Sequence, residues 1–300
     1  MKPSTLDIKT VCECNRSFNC QTLHPQISVI NLQHPDLQED AVKFEFYAIL
    51  FIEKCNDDGC CGCGRRSDDY TCATMVFLQP GEIFRMSEAG ALPDKGWLLA
   101  FHPDLLHRTS LKNHIRNYTF FSYRKQEALH LSQREAATVT DCMEHIVEEL
   151  RHAVDTHSAT ILSRLIELML DYCTRFYERQ FITREAKNKA LIDQLEALID
   201  RYHLSGVRCG SEGISPQYCA SELGLSVPYL QDLLKFETGK SLDEYFQLKR
   251  LDAAKNLLLR AGSSPAAVAH HLGYANVQYF SLLFKKITGF SPSEYRFSRN

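Results

Sequence analysis

The chain has 300 residues, of which 44% are hydrophobic and 24% charged, and its formal net charge is −3. These values describe an ordinary soluble protein that is long enough for two domains, and the net charge by itself argues against a nucleic-acid ligand. The first residues carry a positive charge with no apolar stretch behind it, and no apolar run approaches the ~18 residues of a membrane helix. We therefore expect a cytoplasmic protein without a membrane segment.

The region from about residue 26 to residue 124 contains short strand-like runs that are rich in β-branched and aromatic residues. Turn residues such as Pro-Gly and Pro-Asp separate these runs, which is the pattern of several short strands with short connections. Such a series predicts a small β-barrel or a double-sheet jelly roll. We expect strands at residues 27–30, 42–52, 74–78, 96–101 and 118–123.

Barrels of this architecture include metal-dependent enzymes, which need a His-x-His pair, a carboxylate and another histidine around one ion. The histidines of the barrel region are His24, His34, His102, His107 and His114, and no two of them are separated by one residue. We expect His102 and His107 to be turn or surface residues. The chain is therefore predicted to have no catalytic residues and not to be an enzyme, with a barrel enzyme as the less favoured alternative.

Twelve cysteines are present, and eight of them precede residue 73. In a large cytoplasmic chain, reduced thiols are the expected state. Thiolates on a glycine-rich hairpin can bind zinc or another soft metal, or form a redox pair, but two adjacent cysteines are awkward ligands for one tetrahedral ion. We predict no metal site and no cofactor, and a thiol-based metal or redox response is the alternative. Its candidate residues are Cys55, Cys60, Cys61, Cys63 and Cys72.

A helical periodicity replaces the strand pattern after about residue 130. Ser132 and Glu135 have the spacing of a capping box, which predicts the start of a helix. A second helix is expected over about 157–180, and its apolar surface is wider than one barrel face covers. Two interpretations stay open: a second subunit buries part of this surface, or both helices pack only on their own barrel. The apolar positions are Val139, Met143, Ile146, Val147 and Leu150, then Ile161, Leu162, Leu165, Ile166, Leu168, Met169, Tyr172, Cys173 and Phe176.

A segment near the C-terminus occurs twice, about fifty residues apart. The copies begin at Ser215-Pro216 and Ser264-Pro265, and each continues with Ala, Leu-Gly and Thr-Gly in register. Serine followed by proline starts a helix, and the glycine of each copy allows a sharp turn into a second helix. The second helix of each copy would place three apolar residues inward, which are Leu230, Leu233 and Leu234 in the first copy and Phe280, Leu283 and Phe284 in the second. A helix over residues 243–260 would connect the copies, with acidic residues in its first turn, Arg260 in its last turn and Gly262 at its end. Two helix-turn-helix motifs at this spacing predict double-stranded DNA as the ligand, with recognition helices in successive major grooves about 34 Å apart.

The charge of the chain is unevenly distributed. Residues 249–300 carry eight Lys and Arg side chains against two acids, a balance of +6. We therefore expect the last fifty residues to supply most of the attraction to phosphate. A basic face that only contacts water is the alternative, and the charge balance by itself does not exclude it.

Residues 188–300 resemble the DNA-binding domain of AraC-type transcriptional regulators. The motifs that carry this resemblance are Tyr229-Leu-Gln-Asp-Leu-Leu-Lys235 and Tyr279-Phe-Ser-Leu-Leu-Phe-Lys-Lys286, each followed by Thr-Gly. The resemblance implies that one face of each recognition helix points to the DNA groove. That face comprises Pro228, Gln231, Asp232 and Lys235 in the first copy, and Asn276, Val277, Gln278, Ser281, Leu282 and Lys285 in the second.

Side-chain chemistry assigns different roles to these positions. Gln231 and Gln278 can pair with adenine, and Val277 or Leu282 can contact a thymine methyl group. Lysine and arginine suit phosphates, which applies to Lys285, Lys286 and Arg296.

The chain departs from the family at two related positions. Many members carry arginine where Asp232 and Leu282 stand, and arginine is the residue for bidentate contacts with guanine. The two substitutions predict weaker intrinsic affinity or readout of DNA shape. Asp232 either accepts a hydrogen bond from cytosine or pairs with Lys235 three positions on.

The N-terminal half resembles, more loosely, the sensor and dimerisation region of the same regulators. The implied architecture is an α+β multidomain chain. Its parts are a cupin-like barrel over 1–125 that senses a small-molecule effector, a helical linker and dimerisation region over 126–186, and an all-α DNA-binding domain over 187–300. The two helix-turn-helix motifs are expected at about 215–236 and 264–287. The implied partners are promoter DNA, an effector, a second copy of the chain and RNA polymerase, with activation as the family expectation.

Overall fold

The computed structural model describes residues 5–32, 41–53, 69–85, 95–205, 214–260 and 263–298. The chain divides into two compact units, Met1–Glu185 and Ala186–Asn300. Of the predicted thiol cluster, Cys55, Cys60, Cys61 and Cys63 lie outside the described residues, whereas Cys72 lies within them as a partly exposed free thiol.

The described part of the first unit contains two β-sheets. Three strands form one sheet in the order β1-β3-β6, with β1 and β3 parallel and β3 and β6 antiparallel. Five strands form an antiparallel sheet in the order β2-β7-β4-β5-β8. In chain order the strands are β1 (Thr5–Ile8), β2 (Ile27–Asn31), β3 (Ala41–Phe44), β4 (Tyr47–Glu53), β5 (Ala73–Leu78), β6 (Glu82–Arg85), β7 (Gly96–Phe101) and β8 (Leu129–Leu131).

An apolar core lies between the two sheets. In β4, alternate residues Ala48, Leu50 and Ile52 belong to this core, together with Val42 and Phe44 of β3. Alternation follows from the two-residue period of a strand, which points successive side chains to opposite faces. The intervening residues of β4 are also buried, because helices cover the other face of the five-stranded sheet. A strand that is buried on both faces has a continuous apolar sequence instead of an alternating one.

Two of the expected strands differ from the structure. The run 42–52 is not one strand but two, β3 and β4, and they belong to different sheets. The strand expected at 118–123 is wrong, since Thr119–Ser122 forms a 3-10 helix. Its aromatic rings Phe120 and Phe121 pack on Phe77 of β5 with centroid distances of 4.5 and 5.5 Å. Aromatic residues favour strands because strands offer surfaces on which they pack, and here a turn offers such a surface instead.

The described helices of the first unit are α1 (Val11–Ser17), α2 (Leu111–His114), α3 (Gln133–Arg151) and α4 (Ser158–Thr183). The capping box predicted at the start of α3 is confirmed: the Glu135 amide donates to Ser132 Oγ, and the Ser132 amide donates to Glu135 Oε2 at 2.8 Å. Helices α3 and α4 pack against each other and against the five-stranded sheet. The sequence pattern therefore located both helices to within a few residues, whereas α1 and α2 were not expected.

A buried ion pair lies at the end of α4. Arg184 follows the last residue of the helix, and its Nε and Nη2 donate to Asp69 Oδ1 and Oδ2 at 2.8 and 2.6 Å. Both side chains are buried. Gln180, one turn earlier, accepts a hydrogen bond from the His130 amide of β8 and donates one to the Ala128 carbonyl. These bonds attach the end of α4 to the edge of the five-stranded sheet.

The regular secondary structure in the described residues of the second unit is entirely helical. Its helices are α5 (Glu185–Ser205), α6 (Pro216–Glu222), α7 (Val227–Thr238), α8 (Leu242–Leu258), α9 (Pro265–His271), α10 (Val277–Thr288) and α11 (Pro292–Ser298). We call α6 with α7 the first helix pair, and α9 with α10 the second. Among the described helices of the whole chain, none is long and apolar enough to cross a membrane.

Helix α8 connects the two pairs and is slightly shorter than expected. Acidic residues Asp243 and Glu244 lie in its first turn, as predicted and as the helix dipole favours. It ends at Leu258, however, so Arg260 lies beyond the helix and the basic residue of the last turn is Lys255. Gly262, expected to end this helix, lies outside the described residues.

Candidate nucleic-acid interface

The two helix pairs begin with the same local chemistry. Ser215 Oγ accepts a hydrogen bond from the Tyr218 amide at the start of α6, and Ser264 Oγ accepts one from the Ala267 amide at the start of α9. In both helices proline occupies a position in the first turn, where its missing N–H costs no hydrogen bond. The Ser-Pro start predicted from the repeat is confirmed in both copies.

A glycine with positive φ connects the helices of each pair. Gly224 has φ 68° and Gly273 has φ 77°, a left-handed conformation that residues with a Cβ adopt only at a cost. Apart from the glycine and its two chain neighbours, no described residue has an atom within 4 Å of the position that a Cβ would take at either glycine. Glycine is therefore favoured at these two positions by the backbone conformation of the turn, and not by a lack of space for a side chain.

The second helix of each pair buries the predicted inner face. In α7 this face consists of Leu230, Leu233 and Leu234, which are fully buried. In α10 it consists of Phe280 and Phe284, which pack with Leu251, Leu258 and Tyr295 in a core shared by α8, α9, α10 and α11. Leu283 was expected in this inner face and is only half-buried. The opposite face of each helix is thereby left on the surface of the unit.

The outer face of α10 carries a glutamine, a leucine and a lysine side chain. Gln278, Leu282 and Lys285 are spaced four and three residues apart, so they share one side of the helix. Gln278 and Lys285 are exposed, and Leu282 is 72% exposed. On the flank of this side, Val277 is 37% exposed and Ser281 is half-buried. Lys286 is also exposed.

The outer face of α7 is arranged in the same way with different chemistry. Pro228, Asp232 and Lys235 take the positions of Gln278, Leu282 and Lys285, fifty residues earlier. Lys235 and the neighbouring Gln231 are exposed, whereas Pro228 and Asp232 are half-buried. The centre of this face thus carries a carboxylate, and the centre of the equivalent face in α10 carries an aliphatic side chain.

Two residues predicted to contact DNA have structural hydrogen bonds. Asn276 is the N-cap of α10, and its Oδ1 accepts from the Tyr279 amide at 2.6 Å. Arg296 of α11 is half-buried, and its Nη1 donates to the Ser263 carbonyl at 2.7 Å, just before α9. The capping role of Asn276 follows from its position, since Ser226 caps α7 at the equivalent place in the first copy. Comparing the two copies would have revealed this role from sequence.

Helix α5 carries further residues that sequence reasoning missed. Glu196 Oε1 accepts from Lys249 Nζ at 2.7 Å and from the Tyr245 hydroxyl at 2.8 Å, both on α8. The bond from Lys249 is the main reason that the pKa of Glu196 is held below its usual range, and burial together with Glu196 raises the pKa of Tyr245. This cluster attaches α5 to the helix that connects the two pairs.

The C-terminal end of α5 reaches the second pair. His271 Nε2 on α9 lies 2.9 Å from the backbone oxygen of His203. Burial lowers the pKa of His203 to about 4, with smaller contributions from nearby Arg250 and His271 in the same direction, while Asp200 opposes them. His203 is therefore neutral at physiological pH, which suits its buried position.

The described part of the first unit offers no group of three or more His, Cys, Asp or Glu side chains that could hold a metal ion. His102 accepts a hydrogen bond from the Asp104 amide at the start of a 3-10 helix, Pro103–Leu106, and the exposed His107 lies 3.6 Å from Asp104 Oδ1. Both histidines are the turn and surface residues that the sequence predicted. His114 is bonded to Glu167 of α4.

Comparison with known proteins gives a family match within the second unit. A family model described as a helix-turn-helix domain matches residues 219–298. The uncharacterized transcriptional regulatory protein YesN of Bacillus subtilis is 38% identical over 90 residues, which cover 29% of this chain and 24% of that protein. The HTH-type transcriptional activator RhaR of Mannheimia succiniciproducens is 31% identical over 116 residues, covering 38% of this chain and 41% of that protein. The chain thus spans less than half the length of either relative.

Among solved structures, a transcriptional regulator from Chromobacterium violaceum, described as an AraC-type DNA-binding domain-containing protein, is 22% identical with a TM-score of 0.33. The similarity covers 38% of this chain and 96% of that one.

Proposed function

We propose that this chain, whose residues 219–298 match a helix-turn-helix domain, is a sequence-specific DNA-binding transcription regulator of the AraC type. The observation that carries the proposal is the repeated helix pair, in which α7 and α10 bury one face and leave the other on the surface. Helices in this arrangement enter the major groove of double-stranded DNA. The relatives described above are named as transcription regulators, which supports a function in binding and not in catalysis.

In this proposal both helix pairs are helix-turn-helix motifs, at about 215–236 and 264–287. Helices α7 and α10 are the recognition helices, and α8 sets the distance between them so that they enter successive major grooves about 34 Å apart. Exposed lysines on α7 and α10 contact phosphates, and the glutamines Gln231 and Gln278 pair with adenine. The half-buried Asp232 either contacts a base or stabilises its own helix.

For the first unit we propose a cupin-like sensor of a small molecule. Two sheets that enclose an apolar core support this assignment. Binding of the effector would change the contacts of helices α3 and α4 and favour a dimer whose two copies occupy adjacent half-sites. RNA polymerase is the proposed further partner, since RhaR of Mannheimia succiniciproducens is named an activator.

A surface on α4 supports the proposed homodimer. Ile161, Leu165, Leu168 and Tyr172 follow the helical repeat and form one side of the helix, next to its buried face. Ile161 is 41% and Leu168 48% exposed. Of the two interpretations of this wide apolar surface, the exposure of these side chains favours burial by a second subunit.

The test is a mobility-shift assay of the full chain on the DNA upstream of its own gene, over a series of salt concentrations. Gln278→Ala should change which sequences bind, because it removes a contact with a base edge worth about 1–3 kcal/mol. Lys285→Ala should weaken binding to every sequence alike and reduce the salt dependence by about one ion, because it removes a phosphate contact. The two variants are matched controls for each other, since both side chains are exposed on the same face. Equal affinity for all sequences at every salt concentration would contradict the proposal.

A further inference from the structure

The halves of α7 and α10 that read bases carry no positive charge. A recognition helix contacts base edges with its N-terminal residues, and the residues 227–232 and 277–282 contain neither arginine nor lysine. The lysines of both helices lie in the C-terminal halves, at Lys235, Lys285 and Lys286. Guanine is read mainly by arginine or lysine, which donate to its O6 and N7. The base-reading halves therefore lack the groups that select guanine.

An exposed aliphatic side chain takes the central position of this surface in α10. Leu282 is 72% exposed, and no other residue of its outer face shields it in the described structure. Val277 adds a second exposed apolar side chain at the start of the same helix. In the major groove, the apolar group that a base pair presents is the C5-methyl of thymine. Contact between an exposed leucine of α10 and a thymine methyl group stabilises the complex, because both apolar groups leave water.

Gln278 lies one turn before Leu282 on the same side of α10 and is exposed. A glutamine amide pairs with adenine by donating to N7 and accepting from N6. Gln278 is therefore suited to adenine and the adjacent Leu282 to thymine, which are the two bases of an A·T pair.

We propose that α10 selects A·T base pairs, with Leu282 contacting the methyl group of thymine and Gln278 pairing with adenine. This inference rests on the proposed function and specifies the DNA that the second helix pair recognises. The first pair provides an internal contrast, because Asp232 takes the place of Leu282 and offers no apolar contact to a methyl group. The two halves of the operator then differ, and only the half under α10 is read through thymine methyl groups.

The experiment begins with selection of duplexes that the full chain binds from a random pool. Each thymine of the selected site is then replaced by uracil, which keeps the hydrogen-bonding groups of thymine and lacks only the methyl group. In the half-site under α10, one such replacement should weaken binding about fourfold, the effect of removing one buried methyl group. Replacements in the half-site under α7 should leave affinity unchanged.

Variants at Leu282 assign the effect to one side chain. Leu282→Ala should bind the thymine and uracil duplexes equally, and its high exposure leaves folding intact. Leu282→Arg, carried through the same selection, should acquire a preference for guanine at that position. The second variant gains a property, so loss of folding cannot produce its result.

The outcomes separate this inference from the function on which it rests. If the selection yields no preferred sequence, the proposed function and this inference both fail. If the selection yields a preferred sequence but uracil binds as well as thymine, or Leu282→Ala retains the discrimination, only this inference is overturned.

Discussion

Residues 232 and 282 show how far a single side chain can differentiate two similar elements. Both are central in the outer face of their helix, yet Asp232 is half-buried and charged, whereas Leu282 is apolar and largely exposed. A carboxylate near DNA phosphate is repelled, and a leucine is not. The second helix pair also belongs to the basic part of the chain. We expect it to contribute most of the affinity and the first pair to contribute mainly discrimination.

The ion pair between Asp69 and Arg184 leads to a stability prediction. Arg184→Leu removes a bidentate contact and leaves the Asp69 carboxylate buried without it, so the free energy of unfolding of the first unit should fall by about 3–5 kcal/mol. Urea unfolding followed by fluorescence measures this, because Trp97, the single tryptophan of the chain, lies in β7 of that unit. Lys43→Ala is the control, since its partly exposed pair with Glu45 is screened by water and should contribute little. Equal losses in the two variants would contradict the prediction.

The buried His203 predicts a pH dependence of the second unit. Its pKa is lowered from 6.5 to about 4 in the folded unit, so between these values the unfolded chain binds a proton that the folded unit excludes. Stability should therefore fall as the pH drops below 6.5, by up to about 1.4 kcal/mol per pH unit. In His203→Leu this contribution is absent.

The free energy of unfolding of the second unit is measured at pH 7.5 and at pH 5.5. The method is hydrogen exchange of peptides from residues 186–300. The wild type should lose about 1 kcal/mol more than His203→Leu between these two pH values. An identical loss in both proteins would show that other groups account for the pH dependence.

At the scale of the element, capping marks where five successive helices of the second unit begin, α6 to α10. Side-chain oxygens of Ser215, Ser226, Ser241, Ser264 and Asn276 accept amide hydrogen bonds at five successive helix starts. Such caps satisfy amides that have no partner within the helix. The outer faces of α7 and α10 depend on these caps, because fraying at a helix start would displace the residues that are proposed to face DNA.

Asn276 tests this dependence. Asn276→Ala should lower the free energy of unfolding of the second unit by about 1 kcal/mol. It should also weaken binding to all sequences, because α10 frays at the end that is proposed to enter the groove. Asn276→Ser should keep the stability and the DNA affinity of the wild type, since serine caps the equivalent helix α7. Thermal unfolding and the mobility-shift assay measure the two effects. If Asn276→Ala instead retains stability and changes base preference, Asn276 contacts a base, as its position in the family motif implies.

At the scale of the whole molecule, the proposed regulator requires two copies of the chain on DNA. The side of α4 formed by Ile161, Leu165, Leu168 and Tyr172 is the apolar surface offered for this contact. Two such helices packed side by side would exclude water from these side chains, which is the main source of free energy in association.

Leu168→Glu should convert the dimer to a monomer, because a charged side chain would have to lose its water at the centre of the interface. Sedimentation of the purified full chain measures the mass, and the fluorescence of Trp97 reports whether the first unit stays folded. Val154→Glu is the matched control, since Val154 is 58% exposed and precedes α4. A Leu168→Glu protein that sediments as the wild type does would place the dimer contact elsewhere or exclude the dimer.

Features that depend on neighbours in sequence were predictable. The Ser-Pro starts, the capping box at Ser132 and the turn at Gly273 each involve residues within about four positions, so their local chemistry is visible in the sequence. The inner faces of α7 and α10 also followed from the helical repeat, except that Leu283 is only half-buried. Residues that point outward were identified by the same repeat, but a repeat does not distinguish a base contact from a cap such as Asn276.

By itself, the sequence determined that the C-terminal region contains two repeated helix pairs with chemically different outer faces, because helix periodicity and caps act over a few residues. Only the tertiary structure decided that the run 42–52 divides between two sheets, that 118–123 is a turn, and that Asp69 pairs with Arg184 across 115 positions. These features depend on which distant surfaces become buried together. Burial of an apolar side chain is favourable against any apolar surface of suitable shape, and the local sequence does not specify which surface that is.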